Sequence, residues 1–82
     1  MRNTATEIGE TLRQRRELLR LLQPQLAAIA GISTRTIQLI EAGKANPSLD
    51  TLFKIADSLG LTFKMDLKET IKGNVTITEP LK

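Results

Sequence analysis

Eighty-two residues, 40% hydrophobic, with twelve basic and nine acidic side chains for a net charge of +3, suggest one small domain. Chains of this size bury only about 60% of their unfolded surface, which argues against a large catalytic cleft. The absence of cysteine and histidine excludes disulfide scaffolds, thiol nucleophiles, imidazole bases and the usual zinc sets, and two phenylalanines without Trp or Tyr make no stacking platform for single-stranded nucleic acid.

No apolar run approaches the roughly 20 residues that span a bilayer, and no signal-peptide pattern opens the chain. No membrane association is expected, and a cytoplasmic location is the default. Charge is uneven along the chain. Residues 1 to 47 hold seven basic and four acidic side chains, a difference of +3, whereas residues 48 to 82 hold five of each. A solvated surface explains this as well as a phosphate-facing one, until it is placed beside a nucleic-acid motif.

In chain order, Thr4 to Glu7 read T-x-x-E, a capping box that starts a first helix. That helix is expected to reach about Leu21, with Ile8, Leu12 and Leu19 inward. Arg13, Arg15, Arg16 and Arg20 crowd its second half, where cations favour the carbonyl end. Arg16 falls four residues after Leu12 on the buried stripe, so it needs a partner.

Residues 23 to 43, QPQLAAIAGISTRTIQLIEAG, organise the rest. Pro24 belongs in the first turn of a second helix, where its missing N–H is no loss. Leu26, Ala27 and Ala30 share one inward face. Gly31 can stop the helix in a left-handed conformation, and Ser33 can cap the next one. That third helix buries Ile37 and Ile40, ends at Gly43, and turns Thr34, Arg35, Gln38 and Leu39 outward. Helix, glycine turn and helix with a polar outer face form the layout of a DNA-reading helix-turn-helix.

Lys44-Ala45-Asn46-Pro47 reads as a loop. Ser48 caps a fourth helix with Asp50 in its first turn and an apolar stripe of Leu49, Leu52, Ile55, Ala56 and Leu59; Gly60 ends it. The period then changes to two: Leu61, Phe63, Met65 and Leu67 alternate with polar residues, a strand pattern. A lone strand cannot satisfy its own backbone. It can pair with its copy in a second subunit, the arrangement we favour, or with Asn74 to Thr78 after a turn at Lys72-Gly73-Asn74; the two are compatible. Glu79 to Lys82 read as a mobile tail. The organisation expected is a helix-turn-helix DNA-binding domain over 1–60, with a C-terminal strand and tail over 61–82.

The motifs IGETLRQRR, Q-x-Q-L-A, G-I-S-T-R-T-I, I-E-A-G and N-P-S-L-D-T-L-x-K-I-A-x-x-L-G, in this order over about residues 8 to 61, resemble the Cro and phage-repressor (XRE-type) helix-turn-helix family. The resemblance implies a mainly α, lambda-repressor-like helix-turn-helix bundle of four to five helices; from its alternating pattern, the C-terminal β-strand is expected to serve dimerisation through Leu61, Phe63, Met65 and Leu67. The resemblance implies base reading by Ser33, Thr34, Arg35 and Gln38. Arg35 suits guanine, Gln38 adenine, and outward Leu39 a thymine methyl. Phosphate contacts fall to Gln23, Thr36, Lys44 and Asn46, and a structural ion pair to Arg16 and Glu41. Two residues depart from the family pattern: Leu22 stands where an N-capping threonine is usual, and Arg20 where a glycine is common.

The L-G-L-T-F-K-M-D-L strand is similar to that of HipB-type antitoxins, which implies a dimeric repressor of its own operator that also binds a HipA-type kinase toxin. The leading expectation is therefore the antitoxin of a type II toxin-antitoxin module, cytoplasmic and nucleoid-associated, acting as a homodimer on a palindromic double-stranded operator. A stand-alone or phage-derived XRE-type regulator without a toxin is the alternative. A protein-interaction module without DNA binding fits the segregated charge poorly. An enzyme is the least supported reading, because Asp50, Asp57, Asp66 and Glu79 make no metal-spaced cluster; neither metal nor cofactor is expected.

Overall fold

The computed structural model describes residues 4–67 and 73–78, which form four helices and one β-hairpin: α1 (Thr4–Leu18), α2 (Gln23–Ala30), α3 (Thr34–Glu41), α4 (Leu49–Ser58), β1 (Thr62–Leu67) and β2 (Gly73–Thr78). Leu12 of α1, Leu26 of α2, Ile37 of α3, and Ile55 and Leu59 of the α4 region are almost completely enclosed. Burying each such side chain is worth about 1.5–3 kcal/mol. Ala27, Ala30, Ile40, Leu52, Ala56 and Leu61 complete this core, and Ile8, Leu21, Ile32, Ala45 and Phe63 pack against its edge.

Close packing of α1 on α3 depends on Gly9. A Cβ there would collide with the carbonyl oxygens of Ile40 and Glu41, so the helix backbones meet directly. Gly9 is a spacer that apolar periodicity does not register.

α1 ends at Leu18, one turn earlier than expected, because Arg20 takes a left-handed conformation with φ 60°. Its N–H donates to the Glu17 carbonyl at 2.9 Å and that of Leu21 to the Arg16 carbonyl at 3.1 Å, the paired bonds of a Schellman ending. The same construction follows α3 and α4, where Gly43 and Gly60 occupy the left-handed position. Leu19 consequently sits in the turn, 42% exposed, and Leu21 takes the inward place expected of it. Thr4 is already helical, so the capping position before α1 falls outside the described residues.

Ser48 caps α4 by accepting from Thr51 N–H at 3.1 Å. Leu49, expected in the buried stripe, is 69% exposed: as the first helical residue it precedes the turn that contacts the core.

β1 pairs with β2 antiparallel inside the chain, Thr62 opposite Thr78, Phe63 opposite Ile77, Met65 opposite Val75 and Leu67 opposite Gly73. Of the two pairings open from sequence, the hairpin is present. The turn is displaced from the expected Lys72-Gly73-Asn74, since Gly73 and Asn74 are strand residues facing Leu67 and Asp66. Extending the ladder by these two pairs satisfies more backbone groups than turning early. The connection itself and the expected tail at 79–82 lie outside the described residues. Phe63 of β1 meets Phe53 of α4 with ring centroids 5.6 Å apart at 58°, which seats the hairpin on the helices. Among the described residues no helix is long and apolar enough to cross a membrane.

Candidate nucleic-acid interface

The unit built from α2, the Gly31 turn and α3 carries most of the residues picked out for DNA. Its turn is set by Gly31, whose φ of 74° is left-handed and whose successor Ile32 donates to the Ala27 carbonyl at 3.0 Å. Ser33 then starts α3: its Oγ accepts from Thr36 N–H at 3.1 Å and lies 2.8 Å from Thr36 Oγ1. The two hydroxyls therefore hold each other at the helix N-terminus, where free N–H groups favour a phosphate.

Beyond this cap, Arg35 and Gln38 are exposed, while Thr34 and Leu39 are half-buried beside them. Positions 34, 35, 38 and 39 occupy one face opposite Ile37 and Ile40, as the 3.6-residue period requires. Lys44 and Asn46 are exposed in the loop after α3. Lys44 N–H donates to the Leu39 carbonyl at 2.9 Å, so the loop's first residue is tied to the last turn of α3.

Beneath this surface lies the expected ion pair. Arg16 Nε donates to Glu41 Oε2 at 2.7 Å and Arg16 Nη2 to Oε1 at 2.9 Å, a bidentate geometry. Arg16 Nη1 also donates to the Leu21 carbonyl at 2.7 Å. Hydrogen bonding to Glu41 raises the Arg16 guanidinium above its ordinary pKa, against the opposing effect of burial. No side-chain polar atom buried among the described residues lacks a partner.

Gln23, expected at a phosphate, opens α2 and donates its Nε2 to Glu41 Oε1 at 3.0 Å. Leu22 occupies the cap position without a side-chain acceptor, and Gln25 supplies the reciprocal half of the box by accepting from Leu22 N–H at 2.8 Å. That Gln three residues after the cap was visible in Leu22-Gln23-Pro24-Gln25. Sequence reasoning also missed Arg15, whose Nε donates to the Leu59 carbonyl at 2.9 Å and so ties α1 to the end of α4. Only its place among the helix 1 cations hinted at this.

Of the residues expected at a dimer contact, Leu61 is 5% exposed within the chain's own core and Phe63 is half-buried against Phe53. The side chains of Met65 and Leu67 lie outside what the structure describes. Among the described residues no group of three or more His, Cys, Asp or Glu is placed to hold a metal ion.

Residues 12–64 match a protein-family model described as Helix-turn-helix, HTH_3. A similar protein, an uncharacterised HTH-type transcriptional regulator of Methanocaldococcus jannaschii, is 46% identical over 50 residues, which are 61% of this chain and 76% of that one. Among solved structures, the restriction-modification controller protein C.AhdI of Aeromonas hydrophila superposes with a TM-score of 0.65 at 31% identity, over 67% of this chain and 83% of that one. An HTH_3 family transcriptional regulator of Vibrio cholerae gives 0.64 at 31% identity over 67% of this chain, which spans 31% of that longer protein.

Proposed function

The chain belongs to the HTH_3 helix-turn-helix family of DNA-binding transcriptional regulators, and we propose that within it the protein is a sequence-specific repressor acting as a homodimer on a palindromic operator. One observation carries this reading: a Ser33-capped α3 presents Arg35 and Gln38 to solvent while its buried face is locked by Ile37, Ile40 and the Arg16–Glu41 pair. A helix held this rigidly can enter a major groove without losing its own contacts.

Arg35 reads guanine and Gln38 adenine, each by paired hydrogen bonds; Ser33, Thr34 and Leu39 complete the base-reading set. Gln23, Thr36, Lys44 and Asn46 hold phosphates and fix the register. Two such helices about 34 Å apart across a two-fold axis read one face of the duplex. Dimerisation proceeds through the edge of β1 not paired to β2, with Phe63 beside it and Leu61 anchoring the strand from beneath. Residues 1–60 then form the DNA-binding domain and 61–82 the dimerisation segment. The protein acts in the cytoplasm, on the nucleoid.

Selection from a random duplex pool, followed by titration at several salt concentrations, tests this. A recovered palindrome bound with a steep salt slope supports it; equal affinity for all duplexes overturns it. Sedimentation at assay concentrations checks the dimer, and a monomer on the palindrome removes that part.

Within this reading we assign the protein to the antitoxins of type II modules, of the HipB type, with a HipA-type kinase as the second partner. The strand segment that follows α4 supports this. A stand-alone regulator is the second reading, favoured by the likeness to a restriction-modification controller. Co-purification from native cells separates them: a stoichiometric kinase-sized partner supports the antitoxin, self-dimer and DNA alone the stand-alone regulator.

A further inference from the structure

Of the arginines at 13, 15, 16 and 20, two serve the fold: Arg15 Nε donates to the Leu59 carbonyl at 2.9 Å, and Arg16 Nε to Glu41 Oε2 at 2.7 Å. Arg13 and Arg20 are exposed, and among the described residues neither side chain makes a hydrogen bond or an ion pair. Glu17, the acid nearest to Arg20 in sequence, lies 4.0 Å from Arg16 instead. Arg20 differs from Arg13 in its backbone. It holds the left-handed conformation, φ 60°, that closes α1. Glycine takes this shape without strain, and asparagine or aspartate tolerate it through local hydrogen bonds. Arginine has neither advantage. The turn gains nothing from the side chain, and a strained residue held in this way points to a use outside the turn.

Arg20 precedes Leu22, the residue that opens α2, by two positions, so their Cα atoms are within about 7 Å. From Leu21 to Thr34 the chain carries no charge of either sign, which makes Arg20 the last cation before α2 and Arg35 the next. α2 crosses the DNA backbone when α3 lies in the major groove. Its first turn therefore meets a phosphate strand with no carboxylate of its own to repel it, and with Arg20 immediately before it. We propose that Arg20 is a further DNA-binding residue, whose guanidinium pairs with the backbone phosphate next to the one on the α2 N-terminus. This rests on the DNA-binding reading above and deepens it. A glycine, common at this position in the XRE pattern, has no side chain to make the contact, so the contact is particular to this chain. Arg20 exchanges some stability of the turn for affinity toward every duplex alike.

The test titrates wild type, Arg20→Gly and Arg13→Ala at several salt concentrations on a duplex that the wild type selects from a random pool. Arg20→Gly relieves the strain and so folds at least as stably as wild type. Its salt slope should fall by about 0.9, the share of one phosphate, so that the wild-type advantage grows roughly 2.7-fold for each threefold dilution of salt. Arg13→Ala should leave the slope unchanged. An unchanged slope for Arg20→Gly overturns the proposal, because a loosened turn lowers affinity without changing how many counterions are released. Equal slope losses in both variants also overturn it, since they report diffuse charge and not a contact. If Arg20→Gly fails to fold, Arg20→Asn, which tolerates the left-handed backbone, takes its place with the same outcomes. A wild type whose duplex binding has no salt dependence overturns the DNA-binding reading itself. A steep wild-type slope that Arg20→Gly retains overturns only the role of Arg20.

Discussion

Arg16 and Glu41, 25 positions apart, meet through two hydrogen bonds of 2.7 and 2.9 Å with side chains only 9% and 5% exposed. The pair joins the last turn of α1 to the last residue of α3, and through Gln23 it reaches the start of α2. A buried pair of this kind need not be more stable than an apolar replacement, but removing one member leaves a buried charge uncompensated.

Arg16→Met or Glu41→Gln alone should therefore cost about 3–5 kcal/mol. Replacing both by apolar residues should cost clearly less than the sum. Urea unfolding of the single and double variants measures this coupling. Because Glu41 raises the Arg16 pKa, the Arg16 contribution is complete below the unfolded-state value and is lost only as pH rises through the higher folded one. The gap between wild type and Arg16→Met should accordingly stay constant from about pH 7 to 10.

Arg20 holds a left-handed backbone where glycine would be unstrained. The strain costs about 1–2 kcal/mol, offset in a glycine variant by about 0.4–1 kcal/mol of added freedom in the unfolded chain. Arg20→Gly should thus stabilise the protein by several tenths of a kcal/mol to about 1 kcal/mol, read as a higher melting temperature.

Gly9→Ala should act in the other direction. The new methyl meets backbone carbonyls of Ile40 and Glu41, which cannot rotate away, so α1 must shift off α3. A loss of about 1–3 kcal/mol is expected from overpacking, visible in the urea midpoint.

Arg35→Ala and Lys44→Ala should separate base reading from phosphate holding. The first should lose about 1–3 kcal/mol on the selected duplex and relax choice at one base pair. The second should weaken binding to selected and scrambled duplexes alike and lower the salt slope by about one. Equal losses on both duplexes for Arg35→Ala would remove it from the base-reading set.

Ser33, Ser48, Gly31, Gly43 and Gly60 announced the boundaries of α2, α3 and α4 because caps and left-handed stops act within a few residues. The alternation from Leu61 onward announced β1 for the same local reason. Arg16's need for a partner was legible from its place on an apolar stripe; that the partner is Glu41 came from family resemblance. What escaped depended on partners distant in the chain. Nothing near Gly9 tells that the Ile40 and Glu41 carbonyls lie against it, and nothing near Arg15 tells that the end of α4 comes within its reach.

The amino-acid sequence by itself determined the helix-turn-helix and its outward face, since the 3.6-residue period, two caps and a glycine act over one or two turns. Only the tertiary structure decided where α1 stops, that Leu49 faces water, that β1 turns back on β2, and that Gln23 grips Glu41. Each of those outcomes is a competition between a local preference and a contact from another element, and the winner is set by which atoms the packed core brings within a few ångströms.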